Sequence, residues 1–189
     1  MKKLPTETTL LVLKNTNMPY ANQEFESKKF KKINFTDLSF KNSAFTDCVF
    51  DNCNLSNVKL ENTKLQNVSF KNCKILGLHF TECHKLILDF GFENSLISLS
   101  MFSGLNLNNT NFKDCKIYEC EFFDTNLTKA NFENSDLKGT TFQNSNLSFT
   151  SFKNALNYEI NPYQNTLKKT KFSAPEVISL LNVFDIELE

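Results

Sequence analysis

The stretch "ANFENSDLKGTTFQNSNL", residues 130 to 147, decides the fold. Phe132, Leu137, Phe142 and Leu147 recur every fifth residue, and two positions before each stands a small residue: Ala130, Ser135, Thr140 and Ser145. Five residues turn an α-helix by roughly 500°, so such side chains would spiral around it. In a long strand an odd spacing would throw them alternately onto the two faces. A chain that turns a corner every five residues buries them together, because each short side presents its central residue inward.

The register runs almost unbroken from Phe30 to Phe152. Central residues are Phe30, Phe35, Phe40, Phe45, Phe50, Leu55, Leu60, Leu65, Phe70, Ile75 and Phe80. Cys83 and His84 are then two extra residues, after which the period resumes with Ile87, Phe92, Ile97 and Phe102 and runs on to Phe152. All 25 central positions are Phe, Leu or Ile. An internal repeat of this kind means stacked units sharing one continuous core.

Units such as "ANFEN", "SDLKG", "TTFQN" and "SNLSF" resemble the pentapeptide-repeat family over about residues 23 to 154. The resemblance implies an all-β fold, a right-handed quadrilateral parallel β-helix with four pentapeptides per coil. The central residue and the small residue two before it would point inward. Counting centres in fours supports four sides independently: Phe30, Phe50, Phe70, Phe92, Phe112, Phe132 and Phe152 fall on one side, every one a Phe. The opposite side is mostly Phe as well, with Leu60 the exception, and the other two are mostly Leu and Ile. About six coils are expected, roughly 30 Å of solenoid at one strand spacing per coil. Bulky residues at the small position (Leu38, Val58, Val68, Leu78, Phe90, Leu105) place the distortion in the earlier coils.

Three segments follow: a cap strand and lead-in over 1–24, the solenoid over 25–156 with its bulge at 83–84, and a C-terminal part over 157–189. Residues 8–15, "TTLLVLKN", read as a strand leading to Tyr20 and Phe25. The tandem pattern stops at Asn157, where an apolar centre is due. Ser173-Ala174-Pro175-Glu176 reads as a capping box opening a short α-helix. Val177, Leu180, Leu181 and Phe184 would share its apolar face, followed by Ile186 and Leu188 alternating as in a strand. The helix would either only cover the last coil or also pair two subunits. The tail is similar to that of the Qnr quinolone-resistance proteins, and the resemblance implies the second, a homodimer paired through these six residues.

Composition excludes more than it suggests. There are 20 Phe, only 4 Gly and 4 Pro, no Trp and no Arg, and Lys balances Asp plus Glu at 21 each. Six cysteines (Cys48, Cys53, Cys73, Cys83, Cys115, Cys120) form no CxxC pair, and His79 and His84 do not complete a zinc-like set, so packing is their expected role. No phosphate loop, nucleophile elbow or HExxH is present; neither enzyme activity nor a cofactor is expected. The apolar run at residues 10–13 is too short for a signal or spanning helix, so a cytoplasmic protein with no membrane partner is expected. The basic cluster Lys28, Lys29, Lys31 and Lys32 lacks Arg and stacking aromatics, which favours edge protection over nucleic-acid binding.

Outward positions are mostly polar. Exceptions gather at Leu76, Leu86, Leu88, Leu96, Leu99 and Met101, with Tyr118 and Phe123 one coil on. Either they form a contiguous exposed apolar surface, which suggests a partner site, or the N-terminal segment or the bulge covers them. Two functions stand open. Resemblance to Qnr proteins implies binding of DNA gyrase or topoisomerase IV by duplex mimicry and protection from quinolones. The alternative is a general protein-interaction scaffold with no topoisomerase role, which the near-neutral repeat region allows: residues 28 to 154 carry 15 Lys against 13 Asp and Glu.

Overall fold

The computed structural model describes residues 11–13, 20–184 and 186–187, the first three by their backbone alone. The chain forms a parallel β-solenoid of about seven turns. On regular coils a residue pairs with the one twenty positions on, as in Phe25↔Phe45↔Leu65 and Phe30↔Phe50↔Phe70, so four five-residue sides complete a turn. Across the two extra residues the spacing is twenty-two, as in Phe70↔Phe92.

Corners explain the wealth of asparagine. The residue two after every centre except Phe80 and Ile87 takes a left-handed conformation, and of the 24 non-glycine residues with positive φ among the described residues 13 are Asn and 4 are Asp. Asn and Asp tolerate that region better than other L-residues. Stacked corners also join their side chains: Asn62 Nδ2 donates to Asn42 Oδ1 and Asn42 Nδ2 to Asn22 Oδ1, both at 3.0 Å.

Two Phe columns fill the core. Phe112, Phe132 and Phe152 stack at centroid spacings of 4.7 and 5.1 Å, and the facing Phe102, Phe122 and Phe142 stack at 4.8 and 5.1 Å. Each buried ring contributes about 2–3 kcal/mol. Interplanar angles fall from 14–26° between Phe30 and Phe112 to 1–8° between Phe112 and Phe172, so the earlier coils are the less regular ones. At the small inward position hydroxyls and thiols donate to the carbonyl of the central residue one coil back: Thr63 to Phe40, Ser135 to Phe112, Cys53 to Phe30, Cys73 to Phe50. All six cysteines are free and buried, and packing with weak donation accounts for them.

Several expectations need correction. Leu38, an inward position by the repeat rule, is 39% exposed, and Ile87 is only half-buried although it occupies a central position. The count of turns exceeds six because an irregular coil lies at each end. At the start Tyr20 and Phe25 are buried, and strand Leu11–Leu13 pairs with Lys28–Lys31; residues 8–10 and 14–15 lie outside the described residues. That pairing sandwiches the basic cluster's strand between Leu11–Leu13 and Val49–Asp51, so the lysines guard no sheet edge.

Past Asn157 the coil continues. Phe142 pairs with Ile160, eighteen residues on, and Phe152 with Phe172, twenty on, so two residues are skipped and then regained. Tyr158, rather than Asn157, supplies the buried side chain there.

The terminal helix, Glu176–Val183, is 3-10 rather than α, and Ser173 and Glu176 form no capping box. Their side chains bind the last coil instead: Ser173 Oγ accepts from the Asn154 N–H and Glu176 Oε1 from the Asn157 N–H. In a 3-10 helix residues three apart eclipse one another. Val177, Leu180 and Val183 therefore form a half-buried ridge, while Ile178, Leu181 and Phe184 form an exposed one.

Candidate partner-binding surfaces

The largest departure from the repeat surrounds the two extra residues. Phe80–Glu82 makes a 3-10 turn, and Cys83 is buried just after it. Phe90 then occupies the small inward position that Cys48, Val68, Thr110, Ala130 and Thr150 hold in the same column. Its ring lies against Phe80 at 5.0 Å and Phe92 at 5.4 Å. A phenyl where those five coils hold nothing larger than valine pushes out the side before it, where Leu86 is 91% exposed.

This displacement breaks the ladder. Leu107 N–H bonds Asn126 O, Asn109 N–H bonds Thr128 O and Asn126 N–H bonds Leu105 O; the next coil pair repeats the three bonds. Among the described residues no backbone hydrogen bond joins 85–89 to 105–109, and the Ile87 N–H turns back to His84 O. A groove of about 750 Å³ opens there, lined by Leu88 and the carboxamides of Asn67, Asn106, Asn108, Asn109 and Asn111, with Lys71 and Glu93 paired at 3.1 Å.

The apolar residues singled out from the sequence divide between two places. Strands Lys74–Leu76, Leu96–Ser98 and Lys116–Tyr118 form one sheet in which Leu76, Ser98 and Tyr118 align. Leu99 stands at its corner, 54% exposed with φ 51°, and its N–H bonds Tyr118 O. Met101 and Phe123 continue the strip around that corner, Phe123 exposed and Met101 half-buried like Leu76, Leu96 and Tyr118. Leu86 and Leu88 lie on the opposite side, beside the groove. One continuous surface is therefore two separate ones.

At the C-terminal end Leu180 packs on the core, Val177 is half-buried, and Leu181, Phe184 and Ile186 are exposed; Leu188 lies outside the described residues. Tyr163, 74% exposed, meets the Phe184 ring edge-on at 5.7 Å. Sequence reasoning missed Ile178 and Tyr163, since α-helical spacing puts Ile178 off the apolar face and Tyr163 sits in an irregular loop.

The titratable groups are scattered. His79 Nδ1 is 3.7 Å from Glu82 Oε1, both half-exposed, while His84 Nδ1 is buried without a partner. Burial pushes the Cys48 thiol up to about 11 and those of Cys83, Cys115 and Cys120 to about 12, which disfavours thiolate chemistry. Among the described residues no group of three or more His, Cys, Asp or Glu is arranged to hold a metal, and no helix is long and apolar enough to cross a membrane.

Known proteins share this architecture. A family profile described as "Pentapeptide repeat region" matches residues 23–98 and 43–123, and one described as "Pentapeptide repeats (8 copies)" matches residues 120–156. No curated protein matches the sequence. Among solved structures, a trypsin-treated form of QnrB1, a plasmid-mediated fluoroquinolone resistance protein, is 16% identical over 95% of this chain and 98% of its own, with a TM-score of 0.47. HetL, a pentapeptide repeat protein involved in heterocyst differentiation regulation in Nostoc sp. strain PCC 7120, is 11% identical over 80% and 86%, with a TM-score of 0.34. A pentapeptide repeat protein of the Arabidopsis thaliana thylakoid lumen is 17% identical over 69% of each chain, with a TM-score of 0.24. With the two profiles spanning residues 23–156 and the five-residue period turning a corner at each repeat, the chain belongs to the pentapeptide-repeat family.

Proposed function

We propose that this chain is a non-enzymatic binding solenoid that captures a partner protein at its middle coils. The broken ladder between 85–89 and 105–109 carries this reading. The Asn106 N–H and the carbonyls of Asn106 and Asn108, whose counterparts on the next coil are all bonded between coils, make no such bond here. That leaves them to an extended segment of another protein, a mode of recognition by strand addition. Leu86 supplies an apolar anchor at the rim, and the Leu99 strip offers a second contact on the opposite side. A core packed with stacked rings supports binding outside the tube rather than within it. The test is site-specific photo-crosslinking from position 86 in the native host. Adducts formed from position 86 and absent from position 133 on a regular coil support the reading; identical adducts from both overturn it.

A narrower reading is capture of DNA gyrase or topoisomerase IV with protection from quinolones. A rod of seven turns, roughly 34 Å at one strand spacing per turn, favours it, and two copies joined through the exposed C-terminal ridge would double that length. The balance of 15 Lys to 13 acidic residues over 28 to 154 favours the scaffold over duplex mimicry. A gyrase supercoiling assay with ciprofloxacin separates the two: restored supercoiling on adding the protein supports the narrower reading, and no effect together with no gyrase binding removes it.

A further inference from the structure

A second cleft, of about 860 Å³, lies between the last coils and the terminal helix and shares no lining residue with the mid-solenoid groove. Three local features create it. Gly139 stands where neighbouring corners carry side chains, and a Cβ there would press Glu119 Cγ at 3.2 Å, so the glycine leaves room above Glu119. The skipped residues after Ala155 bring Tyr158 inward. Helix Glu176–Val183 then closes the far wall, held by Glu176 Oε1 on the Asn157 N–H at 2.7 Å.

The lining is acidic and rich in acceptors. Glu119, Asp136, Glu159 and Glu176 face one cation, Lys138. Asp136 is internally satisfied: Oδ2 accepts from the Tyr118 hydroxyl at 2.9 Å, and Oδ1 from Asn157 Nδ2 at 2.7 Å and the Lys138 N–H at 3.3 Å. Neither Glu119 nor Glu159 has an ion-pair partner among the described residues. Tyr158, 1% exposed, also lines the cleft, and its hydroxyl is buried with no hydrogen-bond partner. A buried unpaired hydroxyl costs free energy that a bound donor would recover. Burial first, and the Glu176 carboxylate second, push that hydroxyl up to about 12.

We propose that this cleft binds the guanidinium group of an arginine presented by another protein. Carboxylates on the coil and on the helix accept the several N–H donors of a planar fork, and Tyr118 in the wall supplies a ring on which it can stack. The chain itself contains no arginine, so the group comes from a different molecule and not from a second copy.

The test uses the full chain with 13C-labelled tyrosine rings; the four tyrosines give resolvable signals, two of them from the cleft. It is titrated with acetyl-Gly-Arg-Gly amide, with its citrulline counterpart and with agmatine. Saturable shifts of the Tyr118 and Tyr158 signals with the arginine peptide are expected, with none from citrulline. The exposed pair Glu119→Gln and Glu159→Gln should weaken binding about tenfold, and Tyr158→Phe should weaken it without lowering the thermal midpoint. Equal shifts from citrulline, unchanged affinity in the double variant, or no shift with arginine each overturn the site. Agmatine binding as tightly as the peptide overturns the protein source in favour of a free amine.

Discussion

Phe132 and Phe142 meet edge to face, their ring centroids 5.8 Å apart and their planes at 90°, while each ring lies flat on its own column. Every upper coil repeats this contact, so one ring touches three or more others. Removing Phe132 thus opens a void that neighbours locked in stacks cannot fill. Phe132→Ala should cost about 4 kcal/mol, at the upper range for such deletions, read as a fall in the urea midpoint; a change below about 1 kcal/mol would show that the coils relax independently.

Inward hydroxyls should matter almost as much. Ser135 Oγ donates to Phe112 O at 2.6 Å and accepts from the Cys115 N–H at 2.9 Å, all within the core. Ser135→Ala leaves two buried backbone groups unsatisfied and should cost about 2 kcal/mol. Ser135→Cys, matching what Cys73 does elsewhere, should restore part of that loss. Equal stability for the three proteins by denaturant titration would refute the role given to the small position.

Leu99 combines an exposed apolar side chain with a left-handed backbone that most corners assign to Asn. Leu99→Asn should raise stability by about 1 kcal/mol through relief of that strain while weakening capture by any partner that uses the strip. Leu96→Asp should weaken the same capture with the fold intact. Loss of the circular-dichroism signal in either variant would show instead that these residues belong to the core.

The thiols give a pH signature. Cys48, Cys83, Cys115 and Cys120 are held at about 11 to 12 by burial, whereas an unfolded thiol ionises near 8.5. Below that value both states keep their protons and the stabilisation is complete. As pH rises toward 11 the unfolded chain releases protons that the folded chain retains, so stability falls by about 1.4 kcal/mol per pH unit for each such thiol. Urea midpoints between pH 7 and 10.5 should decline, and less steeply in a variant with these cysteines replaced by serine. Parallel declines in both proteins would assign the effect to other groups.

The ridge Ile178, Leu181 and Phe184 predicts a two-fold pair. Sedimentation should show a dimer, and Leu181→Asp with Phe184→Asp should yield a monomer whose thermal midpoint, extrapolated to low concentration, matches the parent. A monomeric parent would leave the ridge without that role.

Residues 130–147 alone determine the period, the inward pair and the corner, because a side of five residues makes each structural choice within five residues. Such local encoding, repeated 25 times, also fixes which columns are aromatic and which aliphatic. Other outcomes depend on contacts between residues distant in sequence. The ladder opens at 85–89 because Phe90 competes for space with Phe80 and Phe92. The terminal helix tightens to 3-10 as Ser173 and Glu176 bind the last coil rather than cap the helix. The acidic cleft gathers Glu119, Asp136, Glu159 and Glu176 from three coils and the helix. Periodicity records what a residue does within its own coil; only stacking decides what it meets in the next, since van der Waals volume and unpaired hydrogen-bonding groups are resolved between coils.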